Sequence, residues 1–293
     1  MKTALSMTAS ILKLRIGAFI ALAAVVGILT GGGRLGWTEA AVFTLAVLGA
    51  SAASGAFNQY FERKTDHLMT RTANRPFVTG QLREGFIWPL TFTALLAVSL
   101  VMGWAVGGTL AAGLVLLGAL TYGFLYTLLL KRRTVWNVVI GGAAGSFALL
   151  AGAAASADSF GPAIGPVPLY LAAVLFLWTP PHFWALAHAK AADYRNAGIP
   201  MLPVVTDHDV WGPIVFGHVL LLAILSVGPL LHGLGAIYGV CAMAAGGWFL
   251  ATSYQLMREP SVAAAWRTFA ASLGYFALLS LGVILEKAAA WLS

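Results

Sequence analysis

A polar stretch between positions 58 and 76 has the residue types and spacing that could hold a metal ion. Asn58, Glu62 and Asp66 follow one another at intervals of four, directly after an apolar run that ends near Phe57. On a helix this spacing predicts that the three side chains share one face, one turn apart. An amide and two carboxylates are hard oxygen ligands, and Mg²⁺ prefers one or two carboxylates together with substrate phosphates. We therefore predict a metal site on these three residues.

The same stretch is rich in cations. Arg71 and Arg75 follow the acidic side chains, and arginine pairs well with phosphate oxygens. Together the two sets predict a site for metal and diphosphate at a membrane edge. The alternative is an ordinary polar loop between two membrane helices, because an N-x-x-x-E-x-x-x-D pattern alone is a weak signal.

A second polar stretch lies downstream, at the end of another apolar segment. Lys190 and Asp193 are three residues apart, and Gly198 followed by Pro200 predicts the end of that helix. The plan of the first stretch is thus repeated. We expect Asp193 to act as a further metal ligand and Lys190 to act beside it, in one cavity shared by both stretches.

The segment before Lys190 carries a pair of prolines, Pro180 and Pro181, followed by His182. Prolines inside a membrane helix predict a kink and freed backbone carbonyls, which usually line a cavity. An ionisable group at membrane depth is a functional candidate by default. The alternative is a neutral His182 that donates one hydrogen bond to a freed carbonyl.

Three consecutive cations, Lys131, Arg132 and Arg133, end a further apolar segment. The helix dipole favours cations at this position. Two roles stay open: anchors that reach toward lipid headgroups, or, for one or two of them, ligands of a diphosphate.

Composition sets the class of protein. The chain is 60% hydrophobic and 9% charged, with a mean hydropathy of +0.86, which indicates an all-α polytopic membrane protein. Cys241 is its only cysteine, so a disulfide framework and a cysteine metal cluster are excluded. Nine apolar segments are long enough to cross about 30 Å of hydrocarbon. Their approximate bounds are 16–33, 39–57, 86–106, 109–130, 137–156, 168–189, 211–231, 234–255 and 267–289.

The basic residues predict the orientation. If the N-terminus is cytoplasmic, all of the 17 lysines and arginines except Arg34 and Lys287 lie on the inner side or at its edge. Since they alternate between loops and form no single patch, the high pI of about 9.8 does not indicate a nucleic-acid partner. The long inner loops, about 58–85 and 190–210, are then the working surface of one domain that spans residues 1–293.

At this point the motifs resemble those of the UbiA-type intramembrane prenyltransferases, and within them the branch that farnesylates haem. Four stretches carry the resemblance: Asn58 to Pro76; Leu130 to Thr134 with Asn137 and the run Ile140 to Gly145; Trp178 to Ala187; and Asp193 to Val205. Together they lie between about residues 50 and 205. The first motif of the superfamily usually has Asp where this chain has Glu62, and Glu62 can still bind Mg²⁺.

The resemblance implies a ring of about nine helices around a central cavity. It implies Mg²⁺ as cofactor, farnesyl diphosphate and haem B as substrates, and haem O as product in a bacterial-type inner membrane. A downstream haem A synthase or oxidase assembly factor would receive the product. Arg71, Arg75, Lys131 and Arg132 would bind the diphosphate. His182 is the first candidate for a haem contact and His188 the second, with Tyr126 and Trp184 lining the cavity.

Two rival functions stay open. One is a UbiA-type enzyme that prenylates an aromatic ring, against which the Trp178 to Trp184 stretch and Lys190 argue. The other is a membrane transporter or haem-binding protein, in which broken helices and midplane polar groups also occur. Against this second reading, the carboxylates cluster at one membrane edge and no inverted repeat is visible.

Overall fold

The computed structural model describes residues 4–157 and 164–292, and every regular element in these ranges is helical. The sequence-based prediction of an all-α membrane protein is confirmed. Two residues of the topology prediction lie outside the described ranges: Lys2 on the inner side, and Asp158 in an outer loop.

Twelve α-helices are present in the described ranges. They are α1 (Ala4–Ile11), α2 (Leu14–Thr30), α3 (Trp37–Glu62), α4 (Ile87–Leu120), α5 (Asn137–Gly141), α6 (Ala143–Ser156), α7 (Pro166–Ala189), α8 (Ala191–Asn196), α9 (Leu202–Val205), α10 (His208–Leu225), α11 (Ala236–Arg258) and α12 (Val262–Leu292). A π-helical segment, Thr121–Leu130, continues α4, and short 3₁₀ turns occupy Asp66–Leu68 and Gly228–His232.

The chain reverses direction inside α4, at Gly108. Its backbone there has φ 76° and ψ −175°, a conformation that is open to glycine and strained for other residues. Contacts with α3 show the reversal. The arm before Gly108 runs from Tyr60, which packs on Phe92, toward Phe43. The arm after it runs back, so that the Ala119 carbonyl accepts a hydrogen bond from Ser54. α4 is therefore a tight hairpin of two passes.

This reversal decides the number of passes. Seven segments of the described chain are long and apolar enough to span a membrane, and α2 is a shorter apolar helix. One of the seven, Ile87–Leu130, has 44 residues, about twice the length that one crossing needs. Counted as two passes, and with α2 included, the described segments supply the nine predicted crossings.

The helices form a closed ring. Neighbours pack in the order α2, α3, α4, α6, α7, α10, α11 and α12, and α12 returns to α2. An apolar crevice lies inside the ring between α2, α6, α7 and α12, lined by residues that include Ala23, Leu149, Leu171, Trp178 and Phe276. The predicted helix ring with a central cavity is confirmed.

The proline pair does not end the helix that carries it. α7 continues through Pro180 and Pro181 without interruption. The break comes later, at Lys190, whose φ is −123° and which separates α7 from α8. Lys190 and Asp193 therefore do not share one continuous helix face, because Lys190 is the joint and Asp193 lies on α8.

The tightest helix contact joins α2 to α6 through glycines. A Cβ atom on Gly152 would lie 2.0 Å from the Ala24 carbonyl oxygen, and one on Gly27 would lie 1.9 Å from the Leu149 carbonyl oxygen. Since the obstructing atoms are backbone, no side-chain rotation relieves the clash. Small residues let membrane helices approach this closely.

We expect Gly152→Val to force α2 and α6 apart, lower the free energy of unfolding by about 2 kcal/mol or more, and reduce the yield of monodisperse protein. Gly247→Val is the matched control, since Gly247 is exposed on α11 with nothing within 4 Å of its Cβ position. The measurement is thermal unfolding in detergent. Equal midpoints for the two variants would contradict the proposed close packing.

Candidate active site

The polar end of the ring, where α3 ends and α4 begins, buries the predicted metal ligands. Asn58, Glu62 and Asp66 are 2%, 4% and 4% exposed. Asn58 and Glu62 lie on the last turns of α3, but α3 ends at Glu62, whose carbonyl accepts hydrogen bonds from the backbone and hydroxyl of Thr65. Asp66 begins the 3₁₀ turn that follows. The prediction of three ligands on one helix is therefore wrong for Asp66, which the turn buries separately.

A lysine from the start of the chain reaches into this site. The ammonium of Lys13 donates to the Asn58 Oδ1 atom at 2.5 Å and to the Tyr122 hydroxyl at 2.8 Å. The Asn58 Nδ2 atom donates to the Thr127 hydroxyl at 3.0 Å. Asn58 thus links the chain start, α3 and the π-helical segment.

The π-helical segment turns its polar side chains toward α3. Its hydrogen bonds connect residues five apart: the Thr127 hydroxyl donates to the Tyr122 carbonyl, and the Lys131 backbone donates to the Tyr126 carbonyl. The rings of Tyr122 and Tyr126 stack at 5.9 Å. π-helical turns are frequent at functional sites. Here the segment delivers Tyr122, Thr127 and Lys131 to the end of α3.

Glu62 and Asp66 each have a cationic partner. Lys131 forms an ion pair with the Glu62 Oε1 atom, and Arg75 donates to the Asp66 Oδ2 atom at 2.5 Å. The second Glu62 oxygen, Oε2, is buried and has no hydrogen-bond partner among the described residues. One carboxylate oxygen therefore points into the site without a donor.

Cations outnumber carboxylates in this cluster. Electrostatic interactions join the members to one another across α1–α2, α3, the 66–75 loop and the end of the π-helical segment. In the described part of the chain, four cations face two carboxylates there: Lys13, Arg71, Arg75 and Lys131 against Glu62 and Asp66. We call these six residues the charged cluster. Its formal excess of positive charge favours an anion.

Asp193 connects the two predicted polar stretches. Its carboxylate accepts hydrogen bonds from the Thr70 hydroxyl, at 2.7 and 3.0 Å, and from the Thr70 backbone at 3.3 Å. Burial acts to raise the pKa of the Asp193 carboxyl, but the hydrogen bonds from Thr70 and Arg71 outweigh it and leave the pKa below its ordinary value of 3.8. The Asp193 carboxylate thus stays ionised at neutral pH. The stabilisation from its hydrogen bonds with Thr70 is lost only when the pH falls through the lowered pKa, below 3.8.

Two further interactions connect the region of α8 to the first polar stretch and to the π-helical segment. Burial raises the pKa of Tyr194, the neighbour of Asp193, and the nearby charge of Arg71 acts in the opposite direction. Arg132 donates to the Ala197 carbonyl at 2.5 Å, so it ties the π-helical segment to the region of α8. Arg132, which the sequence places in the diphosphate set, instead contacts backbone. Lys190 lies 5.9 Å from the centre of the Trp266 ring.

His182 is buried in an aromatic wall formed by α7 and α12. Its ring stacks on Trp178 at 4.4 Å and on Phe269 at 4.6 Å. The Nδ1 atom lies 2.7 Å from the Ser272 hydroxyl, which itself donates to the Phe269 carbonyl at 2.6 Å. Since the hydroxyl proton is used there, Nδ1 carries the proton and Nε2 keeps a lone pair. The alternative partner for His182, a freed carbonyl, is wrong.

The other candidates for haem contact lie in different places. Trp184 is fully buried and packs edge-on against His218 of α10 at 5.2 Å. His188 packs against Trp211 at 4.8 Å, also on α10. Both therefore lie on the face of α7 that turns toward α10, not in the aromatic wall around His182. Tyr126, by contrast, belongs to the π-helical segment beside the charged cluster.

The donor atoms of the charged cluster fit a divalent cation that is completed by phosphate oxygens. The described residues contain no group of three or more His, Cys, Asp and Glu side chains that could hold a metal alone. They do offer two carboxylates and the Asn58 amide oxygen, with the Glu62 Oε2 atom unpartnered. That number of protein ligands is what Mg²⁺ uses when a substrate supplies phosphates.

Sequence reasoning missed four side chains of this site: Lys13, Tyr122, Thr127 and Thr70. From the sequence, Lys13 contributes only to the predicted membrane orientation, and neither threonine has a predicted role. Tyr122, Thr127 and Lys131 share one face only if the helix widens to a π-helix between residues 121 and 130. Nothing in the residue types between 121 and 130 announces that widening.

The charge excess gives a prediction about stability. We expect Glu62→Gln to destabilise the protein by about 3 kcal/mol, because four cations would then face one carboxylate. Lys131→Met should cost about half as much, since the other cations still compensate Glu62. Thermal unfolding in detergent measures both. Glu84→Gln is the control, because Glu84 forms an exposed ion pair with Arg63; its midpoint should equal that of the unmodified protein.

The reverse order, with Lys131→Met more destabilising than Glu62→Gln, would contradict the charge balance described above. Inorganic diphosphate offers a second readout. It should raise the unfolding midpoint of Glu62→Gln more than that of Lys131→Met, because the excess cations bind the anion.

Comparisons with known proteins agree with this geometry. The sequence matches the UbiA prenyltransferase family over residues 18–281. It is 47% identical over 283 residues to the protein named protoheme IX farnesyltransferase 2 of Paramagnetospirillum magneticum, covering 96% of this chain and 97% of that one.

Solved structures show the same fold. An apo structure of a UbiA homolog from Aeropyrum pernix superposes with a TM-score of 0.73 at 21% identity, covering 93% of this chain and 98% of that one. A UbiA homolog from Archaeoglobus fulgidus, bound to GPP and Mg²⁺, superposes with a TM-score of 0.66 at 18% identity, covering 94% and 100%. From the sequence match and the shared fold together, the chain is a member of the UbiA prenyltransferase family.

Proposed function

We propose that this protein transfers the farnesyl group of farnesyl diphosphate to a vinyl group of haem B, giving haem O and diphosphate. The observation that carries the proposal is the charged cluster, whose four cations face two buried carboxylates at one end of an apolar helix ring. The high identity to a relative named protoheme IX farnesyltransferase supports the choice of substrates.

The charge of the cluster suits a leaving diphosphate. When the C1–O bond of farnesyl diphosphate breaks, its electron pair leaves with the diphosphate, so stabilisation must be directed there. We assign Arg71, Arg75 and Lys131 to that group. Arg75 and Lys131 are largely shielded from solvent, with side chains 14% and 12% exposed, so their interactions are stronger than in water, whereas Arg71 is exposed at the edge of the site.

Asn58, Glu62 and Asp66 are the residues we propose to hold Mg²⁺, with Asp193 as the candidate for a second position. When bound, the metal supplies Lewis-acid neutralisation of the diphosphate and a template for its orientation. The Archaeoglobus homolog was solved with Mg²⁺ and GPP, which supports a divalent metal here. The hydrogen bonds from Thr70 leave acceptor sites free on the Asp193 carboxylate, so they could orient it as a ligand while they hold the 66–72 loop in place. Lys190, three residues before Asp193 in the sequence, remains the proposed cation at this position.

The acceptor half of the reaction needs a different environment. A vinyl carbon of haem forms the bond to C1, water adds to the adjacent carbon as a hydroxyl, and one proton is released. The aromatic wall of Trp178, His182 and Phe269 offers flat, neutral faces for a macrocycle. The lone pair of the His182 Nε2 atom makes it our candidate for the contact with haem iron. The apolar crevice beside Trp178 and Phe276 suits the farnesyl tail.

The protein is an integral membrane protein, and we propose that its polar end is cytoplasmic in a bacterial-type inner membrane. The lysines and arginines support this, since only Arg34 and Lys287 fall at the opposite end. The side chain of Arg34 contacts the Ala155 carbonyl there, far along the bundle from Lys131. Lipid surrounds the ring, and a haem A synthase or oxidase assembly factor is the proposed recipient of haem O.

A product assay tests the reaction directly. Membranes that contain the protein, incubated with haem B, farnesyl diphosphate and Mg²⁺, should yield a haem heavier by one farnesyl group and one hydroxyl in mass spectrometry, and none in EDTA. Consumed farnesyl diphosphate with unchanged haem would mean a different prenyl acceptor. If a folded protein changed neither substrate, the transport or haem-binding function would replace the proposed one.

Substitution of Asp66 separates the metal site from the haem site. We expect Asp66→Ala to reduce turnover at least a thousandfold while haem binding, followed by its absorption spectrum, changes little. Asp209→Ala is the matched control, since Asp209 is fully exposed in the first turn of α10 and should keep normal turnover. Near-normal activity of Asp66→Ala would show that the metal site is wrongly placed.

A further inference from the structure

Lys13 has a backbone conformation that requires an explanation. Among the described residues it is the only non-glycine residue with a positive φ, at φ 48° and ψ 43°. The left-handed conformation is unfavourable for an L-residue with a Cβ. Such residues persist where the surroundings hold them firmly, and they occur often at functional sites.

The contacts of the α1–α2 joint fix the Lys13 side chain in one direction. Gln59 of α3 donates to the Ser10 carbonyl at 2.5 Å. The aliphatic stem of Lys13 lies on Gly55, where a Cβ atom would meet it at 3.3 Å. The ammonium group is thereby delivered to the Asn58 oxygen and the Tyr122 hydroxyl. Both partners are neutral, so this cation has no carboxylate of its own in direct contact.

The position of the ammonium conflicts with a metal at Asn58. An amide oxygen that accepts a hydrogen bond from an ammonium at 2.5 Å is a poor ligand for a dication, because the two positive charges would lie close together and repel. A lysine stem has four rotatable bonds and three donors, so it can follow a new acceptor nearby. A diphosphate held beside Asn58 would be that acceptor.

We propose that Lys13 is a diphosphate-binding residue that moves from the Asn58 oxygen to the diphosphate when a metal ion takes that oxygen. This proposal rests on the proposed function. It also gives the strained joint a purpose, since the left-handed turn at Lys13 brings a cation from the chain start into a site built from α3 and α4. Metal and diphosphate then bind as a coupled pair, and Lys13 carries part of the coupling.

If Lys13 moves in this way, removal of its charge should change two binding affinities in opposite directions. Removal of the Lys13 charge frees the Asn58 oxygen and removes a repelling charge, so a metal alone should bind more tightly. The same change removes a charged donor from the diphosphate, so diphosphate with metal should bind more weakly. A purely structural role for Lys13 would weaken both.

The experiment measures both affinities on the full-length protein in detergent. Mn²⁺ alone is followed by loss of the free Mn²⁺ signal in electron paramagnetic resonance, and inorganic diphosphate with Mg²⁺ by calorimetry. We expect Lys13→Met to bind Mn²⁺ about threefold or more tightly and diphosphate with Mg²⁺ about tenfold or more weakly. Lys13→Arg, which keeps the charge, should stay within about threefold of the unmodified protein in both assays.

The control is Arg15→Met, which removes an exposed cation two residues away and should change neither affinity. If Lys13→Met is not monodisperse, Lys13→Gln replaces it, because an amide can still donate to Asn58 and Tyr122. Weaker binding of both ligands, or no change in either, would overturn the role of Lys13. An unmodified protein that fails to bind diphosphate with Mg²⁺ would overturn the proposed function instead.

Discussion

The structure depends on keeping an excess of positive charge at one end of an apolar bundle. Four cations and two carboxylates lie together there, and like charges in a low-dielectric site repel strongly. Ion pairs to Glu62 and Asp66 offset part of that repulsion, and the neutral oxygens of Asn58 and Tyr122 offset another part. Arg71 is exposed to solvent, which screens its charge, and several elements of backbone place the remaining cations. A site built this way is ready for an anion of high charge before the anion arrives.

The elements that hold these cations are the irregular parts of the fold. The left-handed joint places Lys13, the π-helical segment places Lys131, and the 3₁₀ turn with the loop bound to Asp193 places Arg71 and Arg75. Regular structure fills the opposite end, where glycine contacts between α2 and α6 bring backbones together. The rigid, closely packed end thus supports a polar end made of turns, and the two ends carry different tasks.

This division explains what the sequence could predict. Hydropathy predicts the nine passes because each crossing must be apolar over its whole length, and the hairpin at Gly108 follows from a segment too long for one crossing. The charged cluster was found where charge is rare, so Glu62, Asp66 and Asp193 stand out. The contacts of Lys13 and Arg132 could not be predicted, because they depend on a positive φ and on a widened helix turn that these residue types do not specify. Asp66 shows the same limit. Its position four residues after Glu62 fits a helix, but α3 ends at Glu62.

The two halves of the proposed reaction require opposite surroundings, and the architecture separates them. The leaving diphosphate needs charge, which the ends of α3 and α4 supply. The prenyl tail and the allylic cation need a dry and neutral surface, since water there would capture the cation before the haem vinyl group could. Water is needed only at the vinyl carbon, after the bond to C1 has formed. α7 and α12 supply that surface, and its histidine, His182, has its tautomer fixed by Ser272. A histidine held in this way offers one lone pair and no charge. The aromatic wall can therefore position an acceptor without attracting the diphosphate away from the cations that bind it.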